Sequence, residues 1–141
     1  MKVTNKAISI LTKYESFQPR AYRCPAGRVT IGYGHTKGVK MGQVITEAKA
    51  VQFLREDIAE VGEFLERKHP HLTQNQFDAL TCLVFNIGAG NYNRYYISAL
   101  IENNAPAESI TRAWLNICYA GGKRLKGLER RRAEELELFL S

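Results

Sequence analysis

A chain of 141 residues has the length of one domain able to bury its own core without disulfides or a structural metal. With 45% hydrophobic and 24% charged residues it is not a disordered polymer, and no run of about 18 apolar residues is present to cross a bilayer. The net charge of +6 and pI near 9.3 predict attraction to a polyanion, nucleic acid or bacterial wall alike, without deciding between them.

The N-terminus, Met1-Lys2-Val3-Thr4-Asn5-Lys6, leads into an amphipathic pattern and not a continuous apolar block. No secretory signal is therefore expected, and the protein should accumulate in the cytoplasm of whatever cell makes it. Ala7, Ile10, Leu11 and Tyr14 fall at i, i+3, i+4, i+7 and predict a helix from about Asn5 to Tyr14. Glu15 then stands at the negative end of that helix's dipole, a setting that disfavours a carboxylate. From Arg20 to about Ile45, glycines interrupt short β-prone segments such as Arg28-Val29-Thr30-Ile31, which predicts a small antiparallel sheet with tight turns.

Thr46 followed by Glu47 is a helix start, and Val51, Leu54, Ile58, Val61 and Leu65 carry the pattern to about Lys68, before Pro70. Thr73-Gln74-Asn75-Gln76 matches a capping box, and Phe77, Leu80, Val84 and Ile87 predict one buried stripe ending at Gly88. Shorter helical patterns follow around Tyr95–Asn103, Ala107–Ile117 and Leu128–Leu140, punctuated by Gly121-Gly122 and Gly127. The expected fold class is α+β and predominantly helical. A β-rich lobe of about residues 16–45 is joined by a long helix to a helical lobe of about 69–141 that includes the N-terminal helix. A cleft between such lobes suits a polymeric substrate.

Three cysteines, Cys24, Cys82 and Cys118, are an odd number with no Cys-x-x-Cys pair. They fit a reducing compartment, and the apolar neighbours of Cys82 and Cys118 predict buried thiols. His69 and His71 flank Pro70 with no cysteine or carboxylate at ligand spacing, so neither zinc nor any other metal or cofactor is expected.

Glu15, Cys24 and Thr30 are separated by eight and five residues, and the run continues as Thr30-Ile31-Gly32-Tyr33-Gly34-His35-Thr36. This resembles the Glu-(eight)-Asp/Cys-(five)-Thr signature of the phage-type lysozymes, endolysins that cut the glycan of peptidoglycan. Phe85-Asn86-Ile87-Gly88-Ala89-Gly90 and Trp114 with Gly121-Gly122 and Gly127-Leu128-Glu129-Arg130-Arg131-Arg132 resemble later segments of the same family. The resemblance runs from Ile8 to about Glu135. A crowded tyrosine stretch, Tyr92-Asn93-Arg94-Tyr95-Tyr96, departs from it.

The resemblance implies a lysozyme-like fold and an N-acetylmuramidase. Glu15 would be the general acid of the two-sided chemistry that glycoside hydrolysis requires. Cys24, where many members carry aspartate, would position water or balance charge as a thiolate. Thr30 would hold the water by hydrogen bonds. Phe85 and Asn86 would face the saccharide, although Phe85 suits a core position nearly as well. His35 would brace the lobe, and Arg130 or Arg131 would reach back to Glu15, leaving Arg132 on a solvated helix start. Peptidoglycan is then the partner, reached through a lesion made by a holin-type protein, with no nucleic acid, no stable membrane insertion and a monomeric state. Three other readings remain open. The basic run with Lys123, Arg124 and Lys126 suggests a nucleic-acid module, against which Glu134, Glu135 and Glu137 count. The other two are a catalytically silent wall-binding protein and a lytic transglycosylase.

Overall fold

The computed structural model describes residues 1–141. Helix α1 spans Asn5–Tyr14, with Thr4 at its N-cap. Thr4 is itself held by Asp78 from across the molecule, which accepts from its backbone N–H at 3.1 Å and from its hydroxyl. The buried face of α1 is Ala7, Ile8 and Leu11, while Ile10 and Tyr14 lie half-buried at its margins. Strands β1 (Gln18–Arg23) and β2 (Val29–Gly32) pair antiparallel, with Tyr22 opposite Thr30 and an irregularity between Gln18 and Tyr22. The chain returns beside β1, where Arg20 faces Val44 and Ala21 N–H donates to the Gln43 carbonyl at 3.0 Å.

Helix α2 (Glu47–Lys68) starts as expected at Thr46, whose hydroxyl accepts from Lys49 N–H at 3.1 Å. Helix α3 (Gln74–Ile87) opens with the expected capping box and stops at Gly88. It is not one-sided, however. Every residue from Phe77 to Val84 is buried, because α3 runs through the middle of the helical body with α1, α2 and α7 around it. One core gathers Leu80, Leu83, Val84, Tyr92, Trp114 and Phe139 among others. The second joins Leu11 of α1, Tyr33 of the β lobe, Leu54 of α2 and Cys82 of α3. That second core fixes the small lobe to the helices.

Three features differ from expectation. Residues Ala89–Arg94 form a short helix, α4, before α5 (Tyr96–Glu102) and α6 (Ala107–Leu115); one glycine and two asparagines among its six residues hid it from helical periodicity. Gly121 and Gly122, both at positive φ, make the turn of a two-residue hairpin, β3 (Tyr119–Ala120) and β4 (Lys123–Arg124). Gly127 is not punctuation, since α7 runs from Lys126 to Leu140 and contains it.

Candidate active site

Glu15 is the C-cap of α1, its N–H donating to the Leu11 carbonyl at 2.8 Å. The helix therefore ends on Glu15 itself, which fixes where its side chain starts. Its side chain is 25% exposed, and Oε1 accepts from Arg131 Nη1 at 2.8 Å. Arg131 is otherwise committed to the interior. Its Nε donates to Glu135 Oε2 at 3.0 Å and its Nη2 to the Cys82 carbonyl at 3.2 Å, while the guanidinium lies 5.9 Å from the centre of the Tyr14 ring. Burial pulls the Arg131 pKa down, but its carboxylate partners Glu135 and Glu15 more than compensate and leave it raised. A planar guanidinium bonded in three directions has one orientation left, which fixes the end pointing at Glu15.

The network continues behind Arg131. Glu135, fully buried, also accepts from Trp114 Nε1 at 3.3 Å and faces Arg132 Nη1 at 3.3 Å. Burial raises the Glu135 carboxyl pKa against the pull of the two guanidiniums. Arg132 has no exposed surface, which corrects the expectation of a solvated side chain. Its position on α7 faces α3, where Nη2 donates to Asn86 Oδ1. Asn86 is thus tied to the arginine network from its exposed position at the end of α3, and Phe85 is half-buried against the second core. Of the two arginines expected at Glu15, Arg131 is there and Arg130 is exposed, without an acidic partner.

Cys24 and Thr30 occupy the β hairpin that follows Glu15. Cys24 N–H donates to the Arg28 carbonyl at 2.9 Å, and the Thr30 hydroxyl donates to the same carbonyl at 3.0 Å. The Cys24 thiol pKa lies below its ordinary value, chiefly because the Arg28 backbone stabilises its thiolate; burial opposes this, and the Thr30 hydroxyl assists. Cys24 and Thr30 therefore form one polar unit, Cys24 half-exposed and Thr30 4% exposed. No hydrogen bond joins that unit to Glu15. In the same lobe Phe17 packs at 5.5 Å on the ring of Tyr33, whose hydroxyl donates to Glu47 at 3.2 Å. His35 braces the same lobe, its Nδ1 2.9 Å from Asp57 Oδ2 and its ring stacked 4.1 Å from Phe53.

Sequence reasoning missed Glu135, Arg132 as an interior group, and Asp57. One signal was available. Arg131, Arg132, Glu135, Leu136 and Phe139 share one helical face, so the charges lie on the same stripe as apolar core residues. Two open grooves lie elsewhere, one of about 700 Å³ beside Tyr95, Tyr96 and Arg112 and one of about 620 Å³ beside Lys2, Arg55 and Phe77. No helix is long and apolar enough to cross a membrane.

Residues 12–135 match the family described as phage lysozyme. Over its full length the chain is 41% identical to an endolysin of Acyrthosiphon pisum secondary endosymbiont phage 1, of which it covers 99%. It superposes with a TM-score of 0.90 on the muramidase domain of SpmX from Asticaccaulis excentricus, at 32% identity, covering 99% of this chain and 98% of that one. A P22 lysozyme mutant gives a TM-score of 0.86 at 31% identity, covering 100% of this chain and 99% of the other.

Proposed function

The chain belongs to the phage lysozyme family and is an endolysin-type glycoside hydrolase of peptidoglycan, and from that premise we propose how its residues divide the reaction. The bond cut is the β-1,4 link between N-acetylmuramic acid and N-acetylglucosamine. Glu15, in its protonated form, gives its proton to the leaving glycosidic oxygen as the bond to the anomeric carbon breaks. The water that attacks that carbon is held by Thr30, whose hydroxyl proton is used on Arg28 and whose lone pairs remain to accept from water. Cys24 as thiolate balances the positive charge that develops on the sugar or takes the water's proton.

The observation that carries this reading is the grip of Arg131 on Glu15, because a general acid works only from a fixed position. Phe85 and Asn86, at the end of α3, would contact the saccharide, and His35 acts through the lobe it braces. Accumulation in the cytoplasm as a monomer, followed by release to the wall through a holin-type lesion, completes the scheme.

Mass analysis of the products from purified peptidoglycan, for the native protein and Glu15→Gln, tests it. The expected result is hydrated muropeptides with reducing N-acetylmuramic acid ends that disappear in the variant. Anhydro ends would replace hydrolysis by transglycosylation, and no products from the native protein would remove the catalytic assignment.

A further inference from the structure

The positive charge of this protein is segregated. Between Ser16 and Thr46 the chain carries five lysines and arginines and no aspartate or glutamate, so the β lobe holds +5 of the net +6. The rest of the chain sets fifteen basic residues against fourteen acidic ones and is almost neutral. Elsewhere acidic residues are interspersed among the basic ones, so charge is balanced over the helices, and some side chains meet directly, as in Lys13–Glu134, Arg124–Glu129 and Arg131–Glu15. On the β lobe only Lys37 does so, 3.2 Å from Glu60. Arg20, Arg23, Arg28 and Lys40 are all exposed, and Arg23 meets only the Gly27 carbonyl at 3.2 Å.

The shape of the lobe keeps these charges in water. Strand β1 is exposed along nearly its whole length, Ala21 alone being half-buried. Val44, opposite Arg20, is 61% exposed, and Lys40 stands just before that returning segment. Unpaired like charges on so few residues repel one another and do not help folding. They amount to a field directed outward from the hairpin that bears Cys24 and Thr30.

We propose that the β lobe is a carboxylate-docking surface for the peptidoglycan strand being cut, engaging the stem peptides on either side of the scissile bond. This rests on the reading of the chain as a peptidoglycan hydrolase. The glycan backbone of that polymer is largely uncharged, but the peptide on each muramoyl residue carries free carboxylates. A strand seated at Glu15, Cys24 and Thr30 therefore presents anions at regular intervals beyond the reacting sugar. Arginine suits such groups, since its fork matches a carboxylate in two hydrogen bonds. The attraction is strongest at low ionic strength and is screened over about 8 Å at physiological salt.

The test is co-sedimentation with purified insoluble peptidoglycan, in native form and with its carboxylates amidated, across a range of salt. Arg20→Glu combined with Lys40→Glu lowers the net charge of the lobe by four. Arg67→Glu with Lys126→Glu makes the same change on exposed helical sites. The lobe reversal is expected to weaken binding to native peptidoglycan about tenfold at low salt. It should leave binding to amidated peptidoglycan unchanged, and the helical reversal should weaken binding less than about threefold.

Equal losses from the two reversals, or an equal loss on the amidated polymer, would overturn the proposal. Vesicles containing phosphatidylglycerol address the exposed Tyr22, Met41 and Val44. Lobe-dependent binding to vesicles, with peptidoglycan binding retained, would make the face a membrane surface and likewise overturn the proposal. Sedimentation needs no cleavage, so a failure to hydrolyse would show separately, as absent soluble products from the native protein.

Discussion

Glu15 is held from behind by charged side chains that scarcely meet water, whereas Cys24 and Thr30 sit on a hairpin held mainly by its own backbone. On the Glu15 side, Arg131 and Arg132 flank Glu135 inside the helical body, with Trp114 donating into the same cluster. On the hairpin side, Cys24 and Thr30 converge on a single carbonyl, that of Arg28. The difference shows which half of the site is coupled to folding. A buried ion network left with one partner missing destabilises the whole molecule, whereas a half-exposed side chain such as Cys24 can change with little effect on the rest. The position of Glu15 is thus a property of the entire helical body, whereas the half-exposed Cys24 position on the hairpin is free to vary in chemistry.

The largest expected effect comes from breaking the network. Arg131→Leu strands Glu135 in the interior with Arg132 as its remaining cation and deprives Glu15 of its partner. We expect a loss of about 3–5 kcal/mol in unfolding free energy, read by urea titration, together with loss of cleavage. Arg131→Lys keeps a charge but lacks the three-way fork, so it should recover only part of either. A Leu variant as stable as the native protein would mean that Glu15 is positioned independently of the interior.

Acid sensitivity should also belong to the helical body. His69 is buried, with Nε2 2.8 Å from the Tyr92 hydroxyl, and burial lowers its pKa from 6.5 to about 4. In the unfolded chain the imidazole takes up a proton near its ordinary value, while in the folded chain it stays neutral until the pH is far lower. Stability therefore falls as pH drops from about 6.5 to about 4 and levels off below, by up to about 3 kcal/mol from this group. His69→Gln, which does not titrate, should lack that part of the decline when the two proteins are unfolded in parallel across this range.

A smaller effect is expected where the hairpin meets the body. Gly32 has φ +67°, and a Cβ there would lie 3.1 Å from the Cβ of Ala50 on α2. Gly32→Ala combines a left-handed backbone with a contact that backbone and packing must relieve, a loss of about 2 kcal/mol. A thermal melt checks the direction. A change near zero would show that the lobe shifts on α2 without resistance.

The sequence was most legible where local physics and packing agree. Helices α1, α2 and α3 begin at Thr4, Thr46 and Thr73, and each of these caps uses its hydroxyl. Glu15, Cys24 and Thr30, the trio proposed to act on the glycan, were visible as spacing, and the Arg131 contact with Glu15 was open between two neighbouring arginines. What stayed hidden depends on tertiary setting. Arg132 and Glu135 are charged and suggest solvent on their own; they share a face with Leu136 and Phe139, and the packing of α7 on α3 turns that face inward. Helix α4 lacks the apolar repeat that marks a helix, and its burial rests on Tyr92 meeting His69.

The smallest structural effect should accompany the most informative chemical one, at Cys24. The residue is half-exposed in the turn between β1 and β2, so Cys24→Ala and Cys24→Asp should leave the melting temperature within about 2 °C of the native value. Their activities should part. The alanine variant loses the group that handles water or charge, about a hundredfold, while aspartate supplies an anion at the same place and should stay within about tenfold of the native rate. The pH profile decides the role. Because the Arg28 backbone, opposed by burial, holds the thiol below its ordinary range, native activity should rise with pH as the thiolate forms. Aspartate is ionised throughout the neutral range and should lack that limb. If the limb persists in Cys24→Asp, it belongs to another group, and the thiolate is not the species that the hairpin contributes.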